Sequence, residues 1–453
     1  MGHARRTRPS AACRVRGPPR LRHVEGVHVP PALIRRISLC LLVAAPAVVV
    51  RIAGIEIAPV IELVLFGAAI VAAAFLLAWA AEAAQKDIAG ALAIALLALI
   101  AVLPEYAVDL YYAYRSGSDP QYLHFAAANM TGSNRLLLGF GWPLVVIIAL
   151  LVAYRVSKRT GGPVNRALQL SGESRMDIGF LVILALIAFI IPLIGSIPLW
   201  FGIGLIVIFG LYLWRAGQGA DNSDEEFVGA AALIVSMPTR ARRITVVAMF
   251  IVSAAIILTS AEPFAEALVA SGSTLGIDSY FLVQWLAPLA SESPEFIIAA
   301  MFALRGLGGA AIATLIASKV NQWSLLVGSL PVAHFLGGGD TMLPLDARQV
   351  EEFTLTATQT ILGVAIILAL RFHWIPAVGL AALFGIQFFV TDTTGRYVLS
   401  AIQVVLAIIF LILHRKDIIP TLAAPFRRTT QLTAAAAERT DPAEAEATTG
   451  PRA

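Results

Sequence analysis

A Pro-Glu pair inside a long apolar run occurs twice in this chain, and the surroundings of the two copies match. Pro104-Glu105-Tyr106 leads to Tyr112-Ala113-Tyr114-Arg115, and Pro294-Glu295-Phe296 leads to Phe302-Ala303-Leu304-Arg305. A second parallel follows each copy. Leu136-Leu137-Leu138-Gly139 with Pro143 lies 31 residues after Glu105, and Leu325-Leu326-Val327-Gly328 with Pro331 lies 30 after Glu295. Proline disrupts a helix interior and a carboxylate is costly in an apolar environment, so neither is retained casually. The chain is two copies of one unit, and its fold must give both copies comparable surroundings.

Of the 453 residues, 58% are hydrophobic and 14% charged, far more apolar surface than a soluble core can hide. The chain is a polytopic membrane protein. A spanning helix needs about 20 apolar residues, and twelve segments qualify: 33–50, 58–83, 89–115, 122–154, 178–194, 197–214, 243–262, 280–304, 311–337, 353–370, 374–390 and 396–413. Residues 1–30 form a basic tail with no apolar face, unlike a cleavable signal peptide, and the Ala/Thr/Glu/Pro-rich tail 420–453 is likewise expected to be disordered. The linker 215–242 carries Asp221, Asp224, Glu225 and Glu226, read as a solvated acidic stretch. The two cysteines, Cys13 and Cys40, have no metal-ligand spacing.

The basic residues fall on alternate loops. Arg155, Lys158, Arg159, Arg166 and Arg175 lie on the same side as Arg215, Arg240, Arg242, Arg243, Arg371, Arg415 and Lys416, whereas the opposite loops carry Glu262, Glu266, Asp278, Asp340, Asp346, Glu351 and Glu352. This bias puts both termini in the cytoplasm of a bacterial-type plasma membrane and argues against a nucleic-acid partner. The helix with Glu105 then runs outward and the helix with Glu295 runs inward. Spans 58–214 and 243–390 are thus two inverted five-helix repeats, an all-α architecture common among secondary transporters. Helices 33–50 and 396–413 are additions that either lie outside the core or mediate a homodimer.

Glu105 lies 16 residues into its predicted helix and Glu295 lies 15 into its own, roughly 22 Å from the start and near the midplane. Carboxylates there cost at least about 2.5 kcal/mol on insertion scales. Pro104 and Pro294 withhold the donors that the carbonyls of Ile100 and Ala290 would use, and hydrocarbon offers no replacement. Carboxylates beside freed carbonyls suit Na⁺, Ca²⁺ or a proton. Asp109 shares a helical face with Glu105, and Glu292 shares one with Glu295. Asn129, Thr131, Ser133 and Asn134 follow in the first half, and Ser318, Lys319, Asn321, Gln322 and Ser324 in the second. For any single Ser, Thr or Asn, a hydrogen bond between helices is an equal explanation. Gly132 would let helices approach closely.

Ser291-Glu292-Ser293-Pro294-Glu295 and Ala101-Val102-Leu103-Pro104-Glu105, each followed by a polar helix such as Asn129-Met130-Thr131-Gly132-Ser133-Asn134, resemble the two alpha repeats of the sodium/calcium exchanger superfamily. The resemblance implies ten core helices and alternating access around one site. It implies that Glu105 and Glu295 coordinate the exchanged cations, and it matches Asn129 and Ser133 to the family's second-helix Asn and Ser. With Asp109, Glu292, Ser291 and Asn321, these form the expected cation-binding set. The sequence departs from the family where Val102 and Leu103 replace hydroxyl-bearing residues. Aligned on Leu-Leu-x-Gly, the second polar segment reads Ser318-Lys319-Val320-Asn321-Gln322-Trp323, which puts a lysine, expected to modulate charge, beside the carboxylates.

The expected function is secondary cation antiport of the sodium/calcium type. Sodium/proton exchange is the alternative, and the transported ions are drawn from Na⁺, Ca²⁺ and H⁺, with no cofactor. No phosphate-binding Gly-rich loop is present to suggest an ATP-driven pump. An intramembrane lipid-phosphate hydrolase would need a base such as His124 or His334. Both lie near helix ends and are read as interfacial, and no metalloprotease or nucleophile-elbow motif accompanies them.

Overall fold

The computed structural model describes residues 29–87, 102–218 and 227–427. The bulk of the basic tail, the acidic linker cluster, the first part of span 89–115 and the tail beyond 427 lie outside the described residues. Among the described residues, nine helices are long and apolar enough to cross a membrane. Ser279–Leu304, with 26 residues, also has the length, and Trp374–Ile386 is shorter at 13. The chain is a multi-pass, almost wholly helical membrane protein.

Two predicted spans depart from a plain helix. Segment 122–154 opens as a 3₁₀ turn, Pro120–Phe125, resumes as Ala128–Leu136, passes through a π turn, Leu137–Gly141, and continues as Trp142–Thr160. Segment 311–337 is Gly308–Asn321, a second π turn at Gln322–Leu326, and Val327–Leu336. A π turn inserts one residue into a helix and is frequent at functional sites. Predicted span 243–262 is one part of the 37-residue helix Thr239–Leu275, roughly 55 Å long at 1.5 Å per residue.

Four short strands, β1 (Ala167–Gln169), β2 (Ser196–Pro198), β3 (Met342–Pro344) and β4 (Arg371–His373), establish how the halves are related. β1 pairs antiparallel with β4, and β2 with β3, so each sheet takes one strand from each half. The first half runs from β1 through the membrane to β2, and the second runs from β3 through it to β4. Because β3 lies beside β2, the second half crosses in the opposite direction. The steps from 167 to 342 and from 196 to 371 are both 175 residues, and the same shift exchanges Leu168↔Phe372 with Ile197↔Leu343. Two inverted repeats are therefore visible in the backbone itself.

The apolar interior divides into two helical bundles. One contains Pro31–Ala53, Pro59–Ala84, Gly229–Val235 and Thr239–Leu275; the other is built mostly from the later helices of each half, and Leu103–Ser116 and Ser279–Leu304 contribute to both. Pro59–Ala84 and Thr239–Leu275 lie against each other, with Gly67 facing the Phe264 ring. At one end they are pinned by Arg242, whose guanidinium grips both oxygens of Asp87 at 2.6 and 2.7 Å. That two-pronged contact holds the Asp87 carboxyl below the usual range. The two additional helices dock on different halves, Pro31–Ala53 on Pro59–Ala84 and Thr393–Leu413 on Ala347–Ile367.

Candidate cation site

The boundary between the two bundles is where the duplicated glutamates meet. Helix Leu103–Ser116 starts just before Pro104, so this proline occupies a first turn, where its missing donor costs nothing. That corrects the expectation of an interior break, and Ile100 lies outside the described residues. Glu105 consequently sits in a first helical turn, where free N–H groups favour a carboxylate. Pro294 lies inside Ser279–Leu304, as expected, and withholds the donor that would reach Ala290.

Glu105 is 4% exposed and Glu292 3%, and Gln322 joins them. Its Nε2 donates to Glu105 Oε1 at 3.2 Å and to Glu292 Oε1 at 2.8 Å. Ser133 donates its hydroxyl to the same Glu105 oxygen. Glu295, half-buried, accepts from Ser318 Oγ at 3.0 Å, and Glu292 adjoins the carboxyls of both Glu105 and Glu295. One carboxyl from the first half and two from the second thus converge. Among the described residues no three acidic, His or Cys side chains close on a single point as a preformed cage.

These contacts correct the register of the second repeat. Ser133 serves Glu105 and Ser318 serves Glu295, over separations of 28 and 23 residues. Ser318 is therefore the counterpart of Ser133, and Lys319 that of Asn134, four residues from the Leu-Leu-x-Gly alignment. The π turns agree, since 137 and 322 are 185 residues apart, as are 133 and 318. The 3₁₀ segment Pro120–Phe125 accounts for the longer first-half connection.

The rest of the expected set is dispersed. Asp109 is fully buried beside the Asn129 side chain and the Met130 N–H, toward the start of helix Ala128–Leu136. Among the described residues neither Asp109 oxygen nor the Asn129 amide completes a hydrogen bond. Ser291 turns its hydroxyl back to the carbonyls of Ala287 and Pro288, so it does not join the carboxyl cluster. Asn321 accepts from the Tyr106 hydroxyl at 3.0 Å. Lys319 is 1% exposed. Its Nζ donates at 2.6 Å to the main-chain oxygen of Asn134 rather than to a carboxylate, with Glu292 and Glu105 as acidic neighbours.

Sequence reasoning left out the bridging role of Gln322 and a second buried network. Arg135, adjacent to Asn134, pairs with Glu352, donates to Gln387 Oε1 at 3.1 Å and lies 4.8 Å over the Trp285 ring. Glu352 also receives Arg396 from the last long helix. An arginine inside an apolar span is as costly as a glutamate, so Arg135 carried a signal. Glu351 and Glu352, read as loop residues, are buried in Ala347–Ile367. The histidines stand apart: His124 binds Asp346 near a helix end, and His334, buried in the last turn of Val327–Leu336, binds Ser116 at 2.8 Å.

The family described as "Sodium/calcium exchanger protein" matches residues 59–217 and 245–413, which takes in both repeats. The solved structure of an H⁺/Ca²⁺ exchanger, CAX, is similar over 89% of this chain and 99% of its own, at 36% identity and a TM-score of 0.81. The chain belongs to the sodium/calcium exchanger family. A structure of the Ca²⁺/H⁺ antiporter protein YfkE shares the fold at 16% identity and a TM-score of 0.54, covering 78% of this chain and 99% of its own. No curated protein matches the sequence. Exchangers are transporters, and this exchanger's Glu105 and Glu295 each sit with a partner serine at corresponding places in the two repeats.

Proposed function

We propose that this exchanger moves Ca²⁺ against H⁺ through the cluster of Glu105, Glu292 and Glu295. The observation that carries the reading is the bridge from Gln322 to Glu105 and Glu292. Two carboxyls held this close repel when both are ionised. Either a divalent cation between them or protons on them relieves that repulsion, so the two ligands compete for one site. When Ca²⁺ enters, the Gln322 amide turns and presents its Oε1, which has no partner among the described residues, as a further oxygen ligand, in keeping with the hard-oxygen preference of calcium. Ser133 and Ser318 hold Glu105 and Glu295 in place during the replacement.

Movement of the bundle containing Pro59–Ala84 and Thr239–Leu275 against the remaining helices opens the site to one face and then the other. The site lies on the seam between the two bundles, so sliding there alters access without dismantling either interior. The 36%-identical relative supports H⁺ as the counter-ion, whereas the sequence alone favoured Na⁺.

Flux in proteoliposomes, with internal calcium and pH recorded in parallel under imposed H⁺ or Na⁺ gradients, tests the reading. Calcium should move against the H⁺ gradient, and Glu105→Gln and Glu295→Gln should both be silent. Calcium movement driven only by Na⁺ would overturn the choice of counter-ion. Undiminished flux in both variants would overturn the site.

A further inference from the structure

The helix that carries Ser133 begins inside the protein. Ala128–Leu136 is buried along its whole length, and Ala126 and Ala127 before it are also fully buried. The opening N–H groups of a helix lack partners within it, and neither lipid nor bulk water can satisfy them there. Ala127, at the capping position, has no side-chain oxygen to offer. The side chain that faces this end comes from another helix: Asp109, on Leu103–Ser116, is the buried oxygen-bearing neighbour of the Met130 N–H and the Asn129 amide, with both its oxygens still uncommitted among the described residues.

The second half shows why only the first needs this arrangement. Its equivalent helix, Gly308–Asn321, starts directly after the exposed residues Arg305 and Gly306. Four residues after Glu295, where Asp109 would have its counterpart, stands Ala299. The aspartate is present in the half whose helix starts in the interior and absent from the other.

We propose that Asp109 is a positioning residue, a helix cap supplied by a neighbouring helix, and that it is not a cation ligand. It fixes where Ala128–Leu136 begins and hence where Ser133 stands. It also ties that helix to Leu103–Ser116, so Glu105 and its serine move as one body. The assignment rests on the reading of the cluster as the exchange site but makes a different demand on the chemistry. A ligand role requires the negative charge, whereas a cap requires a side-chain oxygen, which asparagine supplies as well as aspartate does.

The experiment uses the full-length protein in proteoliposomes with Ca²⁺ as the transported probe. It is combined with hydrogen–deuterium exchange of the peptide spanning 126–133, for wild type, Asp109→Asn, Asp109→Ala and Glu105→Gln. Asp109→Asn should keep KM and maximal rate within about twofold of wild type. Asp109→Ala should speed exchange at the 128–131 amides about fivefold, the usual effect of removing a cap, and should weaken transport. Silence of Asp109→Asn equal to that of Glu105→Gln, with amide exchange unchanged, would overturn the proposal in favour of a ligand. Unchanged amide exchange in Asp109→Ala would overturn it as well. Wild-type protein that moves no cation would refute the exchange reading, while the amide measurement would still decide the cap.

Discussion

Replacing Gly132 by alanine tests how tightly the two halves must meet. Gly132 stands where Ala128–Leu136 crosses Ser279–Leu304, and a Cβ there would lie 1.7 Å from the Gln284 carbonyl oxygen and 2.7 Å from its carbon. The obstacle is backbone, which cannot swing aside as a side-chain tip can. Reaching ordinary contact requires the helices to part by roughly 1.5 Å. Overpacking of this kind costs about 1–3 kcal/mol, against a gain of about 0.5–1 kcal/mol from removing a helical glycine. The functional cost is larger, because one side of the crossing carries Ser133 and the other carries Glu292 and Glu295. In enzymes a displacement of about 1 Å costs on the order of 10²-fold in rate, so calcium flux should fall roughly 10- to 100-fold while thermal stability in detergent drops by only a few degrees. Gly204→Ala and Gly210→Ala on Leu199–Ala216 are the controls, since an added Cβ meets nothing within 4 Å at either position. If Gly132→Ala transports as well as these controls, close contact between the halves is not what assembles the site.

Two further substitutions address the buried charges. Glu352 serves both Arg135 and Arg396, and Arg396 also pairs with Glu351, so Glu352→Gln leaves the buried Arg135 guanidinium without a counter-charge. It should cost about 3–5 kcal/mol, read as a fall in thermal unfolding temperature, whereas Arg396→Gln, which leaves the Arg135–Glu352 pair intact, should cost less. Lys319→Met removes a positive charge that opposes cation binding. At a separation on the order of 10 Å and an effective dielectric near 20, the repulsion between a unit charge and a divalent ion is roughly 3 kcal/mol, so the half-saturating Ca²⁺ concentration for flux should fall on the order of 100-fold; an unchanged or higher value would show that Lys319 does not act on the site through its charge.

The multi-pass helical character was legible because a span's length is set by the bilayer and the apolar runs record it, although nine helices of that kind, not twelve, stand among the described residues. The inversion was legible because loop charge and the repeated Pro-Glu pair point the same way. What the sequence could not show depends on partners distant in the chain. That Asp109 and Glu105 share a face follows from their spacing, but the direction of that face follows only from where Ala128 starts. Gln322 is one polar residue among several until Glu105, 217 positions away, is brought beside it. Some of the loss was avoidable. Asp346 and Gln349 form a capping box that starts Ala347–Ile367, and that pattern would have moved Glu351 and Glu352 out of the loop and into the helix beside Arg135.

The correspondence between the halves is close in the backbone and breaks down in the charges. Strand pairs repeat at one shift, π turns and the partner serines at a second, and the glutamates at a third, so length changes are confined to connections and spare the parts that meet at the seam. Charge does not repeat in this way. Val102 in the first half stands opposite Glu292 in the second, Asp109 opposite Ala299, and Asn134 opposite Lys319. The second half brings two carboxyls and an ammonium to the cluster, and the first brings one carboxyl and the carbonyl that receives that ammonium. A site built equally from both halves would offer two like subsites related by the inversion. Here the second half supplies most of the charge, and the first, whose serine helix starts in the interior under Asp109, supplies much of the scaffold on which that charge is balanced.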